Sequence, residues 1–152
     1  MTILIDGRSG SGKTELARLV VAHVPGAQLV RLDDLYPGWD GLDVASAAVP
    51  HIIATHRWQE WDWTRNEPSE WHYLDPAREL VIEGVGALSR ASRPLAGIAL
   101  WVELDDAVRK RRALARDGEA YAPNWERWAA QERRFIAREN PRSLADVVVS
   151  GR

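Results

Sequence analysis

Gly7, Gly12, Lys13 and Thr14 stand in the spacing G-x-x-x-x-G-K-[ST], inside the run Thr2-Ile-Leu-Ile-Asp-Gly-Arg-Ser-Gly-Ser-Gly-Lys-Thr14. That spacing is the pattern of a phosphate-binding loop. Glycines at Gly7, Gly10 and Gly12, with Ser9 and Ser11 between them, let successive backbone N–H groups turn inward as a nest for β- and γ-phosphate oxygens. The N-terminus of a following helix adds partial positive charge. Lys13 is expected to pair with the β/γ-phosphates, and the Thr14 hydroxyl to ligate Mg²⁺. A merely flexible Gly/Ser turn is the other reading of these residues. The apolar strand before them and the helix-forming Glu15-Leu-Ala-Arg-Leu-Val-Val-Ala after them favour the nest. The sequence therefore predicts a bound nucleoside triphosphate.

Three further groups have chemistry to offer. Asp33 and Asp34 follow the second apolar run; a carboxylate there can accept an acceptor's hydroxyl proton or help hold Mg²⁺, though helix caps and turns use the same residues. Glu83 ends Leu80-Val-Ile-Glu83. A charge ending a buried strand needs a partner, which is either a hydrated Mg²⁺ or an arginine or backbone N–H. Arg109, Arg112 and Arg116 recur at i, i+3 and i+7, one face of a helix, ahead of a Gly118-containing break. Guanidinium forks match phosphate oxygens, so this segment reads as a lid, against the alternative of a solvated helix face. Four of the eight tryptophans fall between Trp58 and Trp71. Their flat faces suit either an acceptor base or a small satellite core that pins a long loop.

The elements that must position these groups follow from apolar runs and punctuation. Strands are expected at about Thr2–Ile5, Ala27–Leu32, Leu80–Glu83, Ile98–Leu104 and Ala145–Val149. Helices are expected over Lys13–His23, over Leu42–Arg57 with Pro50 kinking or dividing it, from about Ala87, over Asp105–Arg116 and over Asn124–Glu139. Asp105 and Asn124 are the expected caps. Trp58–Asp75 reads as a functional loop or a short hairpin. Strands alternating with helices predict an α/β fold, a three-layer helix–sheet–helix sandwich around a five-stranded parallel sheet. Ligands in such sheets bind at the carboxyl ends of the strands, where Gly7, Asp33 and Glu83 all fall.

Bulk properties narrow the classes. A chain of 152 residues is expected to form one domain, residues 1–152, with the lid at about 109–127. Net charge is −2 with both signs interspersed, so no nucleic-acid footprint stands out. The absence of cysteine excludes disulfides and fits a cytoplasmic setting. No signal-peptide pattern and no membrane-length apolar run is present, so neither export nor membrane association is expected.

Together these residues resemble the uridine kinase and nucleoside kinase branch of the P-loop kinases. The likeness rests on Gly-Arg-Ser-Gly-Ser-Gly-Lys-Thr14, on Leu-Asp33-Asp-Leu-Tyr36 in place of Asp-Ser-Phe-Tyr, and on Trp61-Asp62-Trp63 in place of Tyr-Asp-Phe. Leu-Val-Ile-Glu83-Gly, the arginine-rich helix and Ala145-Asp-Val-Val-Val extend it. The resemblance implies the P-loop NTP hydrolase fold with a helical arginine-bearing lid. It also implies transfer of the ATP γ-phosphoryl to a small-molecule hydroxyl, with Mg²⁺. Asp33 would be the base, Tyr36 and Trp61 would lie against the acceptor, and Lys13, Thr14 and Glu83 would serve ATP–Mg²⁺. Arg112 and Arg116 would reach the phosphates. The family's pyrimidine-reading histidine has no counterpart; Arg65 and Asn66 occupy that stretch, and Arg65 suggests an anionic acceptor such as a nucleotide or sugar phosphate. No Asn-Lys-x-Asp segment occurs, which argues against a guanine-reading switch. The other readings are a nucleoside monophosphate kinase, a sugar or sugar-acid kinase, or a regulatory protein that binds ATP without an acceptor.

Overall fold

The computed structural model describes residues 1–150. Its centre is a parallel sheet of β1 (Thr2–Gly7), β2 (Gln28–Arg31), β5 (Leu80–Glu83), β6 (Ile98–Glu103) and β7 (Val147–Ser150), in the order β2-β5-β1-β6-β7. The connecting helices are α1 (Lys13–His23), α2 (Leu42–Thr55), α3 (Asp106–Tyr121), α4 (Trp125–Glu139) and the short α5 (Pro141–Leu144). An antiparallel hairpin, β3 (Arg57–Asp62) and β4 (Glu67–Tyr73), stands apart from the sheet. No helix among the described residues is long and apolar enough to cross a membrane.

Strand alternation divides the core into the two layers that the sequence pattern predicts. Ile3 and Ile5 turn to one face and, with Val81 and Val102, bury Ala17 of α1. Leu4 turns to the other, where Val30, Ile82 and Ala99 join Leu42 and Val49 of α2 and Phe135 of α4. Each Val, Leu, Ile or Phe among these, removed from water, contributes roughly 1.5–3 kcal/mol. Parallel register then aligns the strand ends: Ile5 pairs with Glu83, Glu83 with Arg31, and Gly7 with Val102. Phosphate loop, Arg31 and Glu83 therefore share one edge of the sheet.

Four local expectations change. No helix begins near Ala87: Gly84 and Gly86 adopt positive φ, and the N–H groups of Gly86 and Leu88 bond to Asp6, so only a single helical turn forms, at Arg93–Leu95. Pro50 does not divide α2, whose buried face of Leu42, Ala45, Val49 and Ile52 holds it continuous. The arginine helix breaks as expected just past Arg116, but at Gly118 alone (φ 54°, ψ −127°), and a second helical piece follows to Tyr121. Asp105 caps α3 by accepting from Ala107 and Val108 N–H, whereas Asn124 makes no cap bond and donates instead to the Ala120 carbonyl.

Candidate active site

The phosphate loop links β1 to α1, and its glycines are required by space as much as by torsion. Gly10, at φ 79°, lies so close to the Arg109 carbonyl that a Cβ there would collide with backbone. Gly12, at φ 103°, turns the chain into α1, whose N-terminus carries no side-chain cap. The unbonded N–H groups of that first turn are thus directed at the loop's mouth. Lys13 Nζ crosses the mouth to the Arg8 carbonyl at 3.0 Å.

Sheet register explains how the acids meet. Glu83 is buried; its Oε1 accepts from Thr14 Oγ1 at 3.0 Å and from Arg31 Nε at 3.2 Å. Arg31 also reaches Asp33 Oδ2 through Nη2 at 3.3 Å, so one guanidinium orients both acids. Asp33 and Asp34 face different ways. Asp33 looks into the cavity at the loop, while Asp34 is half-buried near Glu60 and His72 of the hairpin, and burial raises its pKa. Thr14 and Glu83 are hard oxygen donors, and among the described residues no cluster of three acidic or histidine side chains surrounds a single point. That donor set fits a cation that keeps waters and takes further ligands from phosphates, the habit of Mg²⁺.

Two cavities adjoin here. A cleft of about 810 Å³ is lined by Gly10, Ser11, Gly12, Lys13, Thr14, Glu83, Arg112 and Arg116, with Ser9 and Asp33. A second, of about 380 Å³, is walled by Tyr36, Trp39, Trp63, Tyr121 and Trp128. Ser9, Asp33 and Arg116 line both. Tyr36 is buried, its O–H donating to the Val85 carbonyl at 2.7 Å and its ring edge-on to Trp128. Trp39 meets Trp63 and Tyr121 at 5.2 and 5.1 Å, and Trp63 Nε1 donates to the Asp33 carbonyl at 2.8 Å.

The structure does not bring Trp61 and Arg65 to this site. The Trp58–Asp75 stretch is the β3–β4 hairpin, with a bulge between Gln59 and Trp61. Trp61 lies beside a separate hollow of about 400 Å³ against α2. Arg65 sits at the exposed tip, in a turn held by Asp62 Oδ1 accepting from Thr64 and Arg65 N–H. Trp63, in the turn just past the end of β3, lines the second cavity instead. Arg109 also departs from the lid face: it is buried, paired with Asp106 and donating to the Ser9 carbonyl. Sequence reasoning did not find Asp6, Arg31, Trp39, Tyr121 or Glu132. For Arg31 the signal was present, as the residue opposite Glu83 in any parallel pairing of the two strand ends.

No protein-family model matches the chain. In sequence it is similar to a uridine kinase of Streptococcus mutans serotype c, 27% identical over 74% of this chain, and it spans about two thirds (66%) of that relative's length. In structure it is similar to "a Possible Uridine Kinase" from Bacillus stearothermophilus, with a TM-score of 0.61 and 20% identity over 98% of this chain and 88% of the other. The shikimate kinase of Bacteroides thetaiotaomicron follows at TM-score 0.59 and 13% identity, covering 99% and 86%. The chain has the fold of the P-loop kinases and resembles a uridine kinase in sequence.

Proposed function

We propose that this protein is an ATP-dependent kinase that phosphorylates a hydroxyl of a small molecule, a nucleoside or a compound carrying a similar flat ring. The observation that carries the reading is the pair of adjoining cavities whose shared wall holds Asp33 and Arg116. ATP and Mg²⁺, when bound, would supply the transferable γ-phosphoryl and neutralise its charge. The residues' own work follows from their positions. Gly10–Thr14 cradle phosphate oxygens through backbone N–H groups, and Lys13 adds a point charge at the mouth. Thr14 and Glu83 would hold the cation. Asp33, oriented by Arg31, accepts the acceptor's hydroxyl proton at the boundary between the cavities. Arg112 and Arg116 supply forked donors to the transferring group, and the aromatic walls exclude water from it.

The flat faces of Trp39, Trp63 and Tyr121 favour a planar ring over a sugar acid. Arg116 in the same wall favours a second reading, an acceptor bearing phosphate or carboxylate. One screen of nucleosides, nucleotides and small polyols by ADP release decides between them. One class should accelerate turnover well above the acceptor-free rate; identical turnover throughout would count against any kinase. Asp33→Asn should retain ATP binding while transfer falls about 10²–10⁴-fold, the usual worth of a general base. Full activity in that variant would remove Asp33 from the mechanism.

A further inference from the structure

Ser9 is held on all three of its polar groups by the two helices that follow β6. Its N–H donates to Glu132 Oε2 at 2.8 Å, its carbonyl accepts from Arg109 Nη1 at 3.1 Å, and its hydroxyl accepts from the Tyr121 O–H at 2.6 Å. Glu132 is only 1% exposed and takes a second bond from Arg8 Nε at 3.1 Å. A buried carboxylate this near a phosphate loop opposes anion binding by its charge. What it adds is geometry: two bonds that fix the first turn of the loop. The Tyr121 ring is itself wedged between Trp39 and Trp125, at 5.1 and 5.2 Å, so its hydroxyl has little freedom to swing. Burial raises the pKa of that phenol, which keeps it a donor at neutral pH.

The spacing of these contacts along the chain matters. Arg109 and Tyr121 bracket Arg112 and Arg116, so the arginine-bearing segment is fastened to the loop at both ends, each time through Ser9. Gly118, the point where helical torsion fails, lies between Arg116 and the second fastening. A segment fixed at two points around a break holds its arginines only as well as those points hold it.

We propose that Ser9 is the junction that sets the arginine-bearing helix over the γ-phosphate position, with Tyr121, Arg109 and Glu132 as its positioning residues. The proposal rests on the kinase reading only in taking a triphosphate at the loop. Backbone N–H groups and Lys13 serve the β- and γ-phosphates from the loop itself. On this reading the γ-phosphate alone also takes Arg112 and Arg116 from α3. Loosening the junction should therefore cost affinity for a triphosphate and spare a diphosphate.

Calorimetric titration of AMP-PNP and of ADP, each with Mg²⁺, into the wild type, Tyr121→Phe, Ser9→Ala and the double variant tests this. Each single substitution should weaken AMP-PNP at least fivefold and ADP less than twofold. The double variant should be no worse than the weaker single, because both remove the same hydrogen bond. Glu132→Gln, which keeps the shape and one acceptor oxygen, should lose part of the same preference. Unchanged AMP-PNP affinity, equal losses for both nucleotides, or additive losses would each overturn the junction. Tyr121→Phe retains the ring and its packing, so a misfolded Ser9→Ala leaves the outcome decidable. Wild-type protein that binds AMP-PNP yet phosphorylates no acceptor would overturn the kinase reading and leave the junction standing. Acceptor-dependent turnover with one AMP-PNP-to-ADP ratio in every variant would do the reverse, and failure to bind either nucleotide would end both.

Discussion

Asp6, the next-to-last residue of β1, has no exposure at all and directly precedes Gly7 of the phosphate loop. It receives N–H bonds from Gly7, Gly86 and Leu88, and Lys13 favours its charge, but burial outweighs them and pushes its carboxyl up to about 7. A carboxyl raised from an ordinary 3.8 to about 7 binds protons more tightly folded than unfolded. Its contribution to stability is therefore complete below about pH 4 and declines until the pH passes 7, by on the order of 4 kcal/mol. Asp6→Asn has no such slope, and its amide N–H₂ would face the Leu88 or Gly86 N–H with no lone pair to offer. The variant should be clearly less stable than the wild type at pH 5, and the gap should close by about 2–3 kcal/mol at pH 8. Urea unfolding at the two pH values measures both; a gap that stays constant would show that Asp6 does not titrate there. Nothing in the sequence marks Asp6, because its partners lie some 80 residues away. Gly7–Thr14 was legible for the opposite reason, since its geometry is set by eight consecutive residues.

The elements repeat that division between local and distant causes. Strand positions and the sheet's parallel character were legible because apolar runs and their alternation with helices report burial directly. The hairpin was legible only as an alternative to a loop, and its facing was not. Trp61 lies within β3 beside the hollow against α2, whereas Trp63 lies past the end of β3, in the turn that joins it to β4. Trp63, rather than Trp61, therefore reaches the acceptor cavity. Within α3, Gly118 decides how the arginines are carried past the loop. A Cβ there would meet nothing within 4 Å, so its replacement tests backbone torsion without steric confusion. Gly118→Ala should cost about 1–3 kcal/mol, the price of holding a non-glycine residue at φ 54°, ψ −127°. If relief of that strain straightens the helix, Arg116 moves and triphosphate affinity should fall with stability. Thermal denaturation and AMP-PNP titration on the same preparation separate the two, and a variant as stable as the wild type would remove the strain argument.

On the scale of the whole molecule, the two cavities share Ser9, Asp33 and Arg116, so ligands in them are expected to be coupled. A ligand that binds only the folded state at 100 times its Kd stabilises it by about 2.7 kcal/mol. AMP-PNP with Mg²⁺ alone, at that excess, should raise Tm correspondingly, since the cleft it would fill is lined from the β1–α1 loop, α1 and the end of β5. An acceptor added to the AMP-PNP complex should raise Tm further and bind more tightly than it does to the free protein. By linkage it must tighten AMP-PNP by the same factor. The tryptophans provide an independent readout. Trp39, Trp63 and Trp128 wall the acceptor cavity, whereas Trp58, Trp61 and Trp71 line the separate hollow against α2. Acceptor binding should therefore change the intrinsic fluorescence, and Trp63→Phe should remove much of the change. Trp63→Phe also deletes the indole bond to the Asp33 carbonyl while leaving the Asp33 carboxylate in place. Its acceptor KM should rise by more than its kcat falls. The reverse pattern would mean that Trp63 holds the base rather than the acceptor.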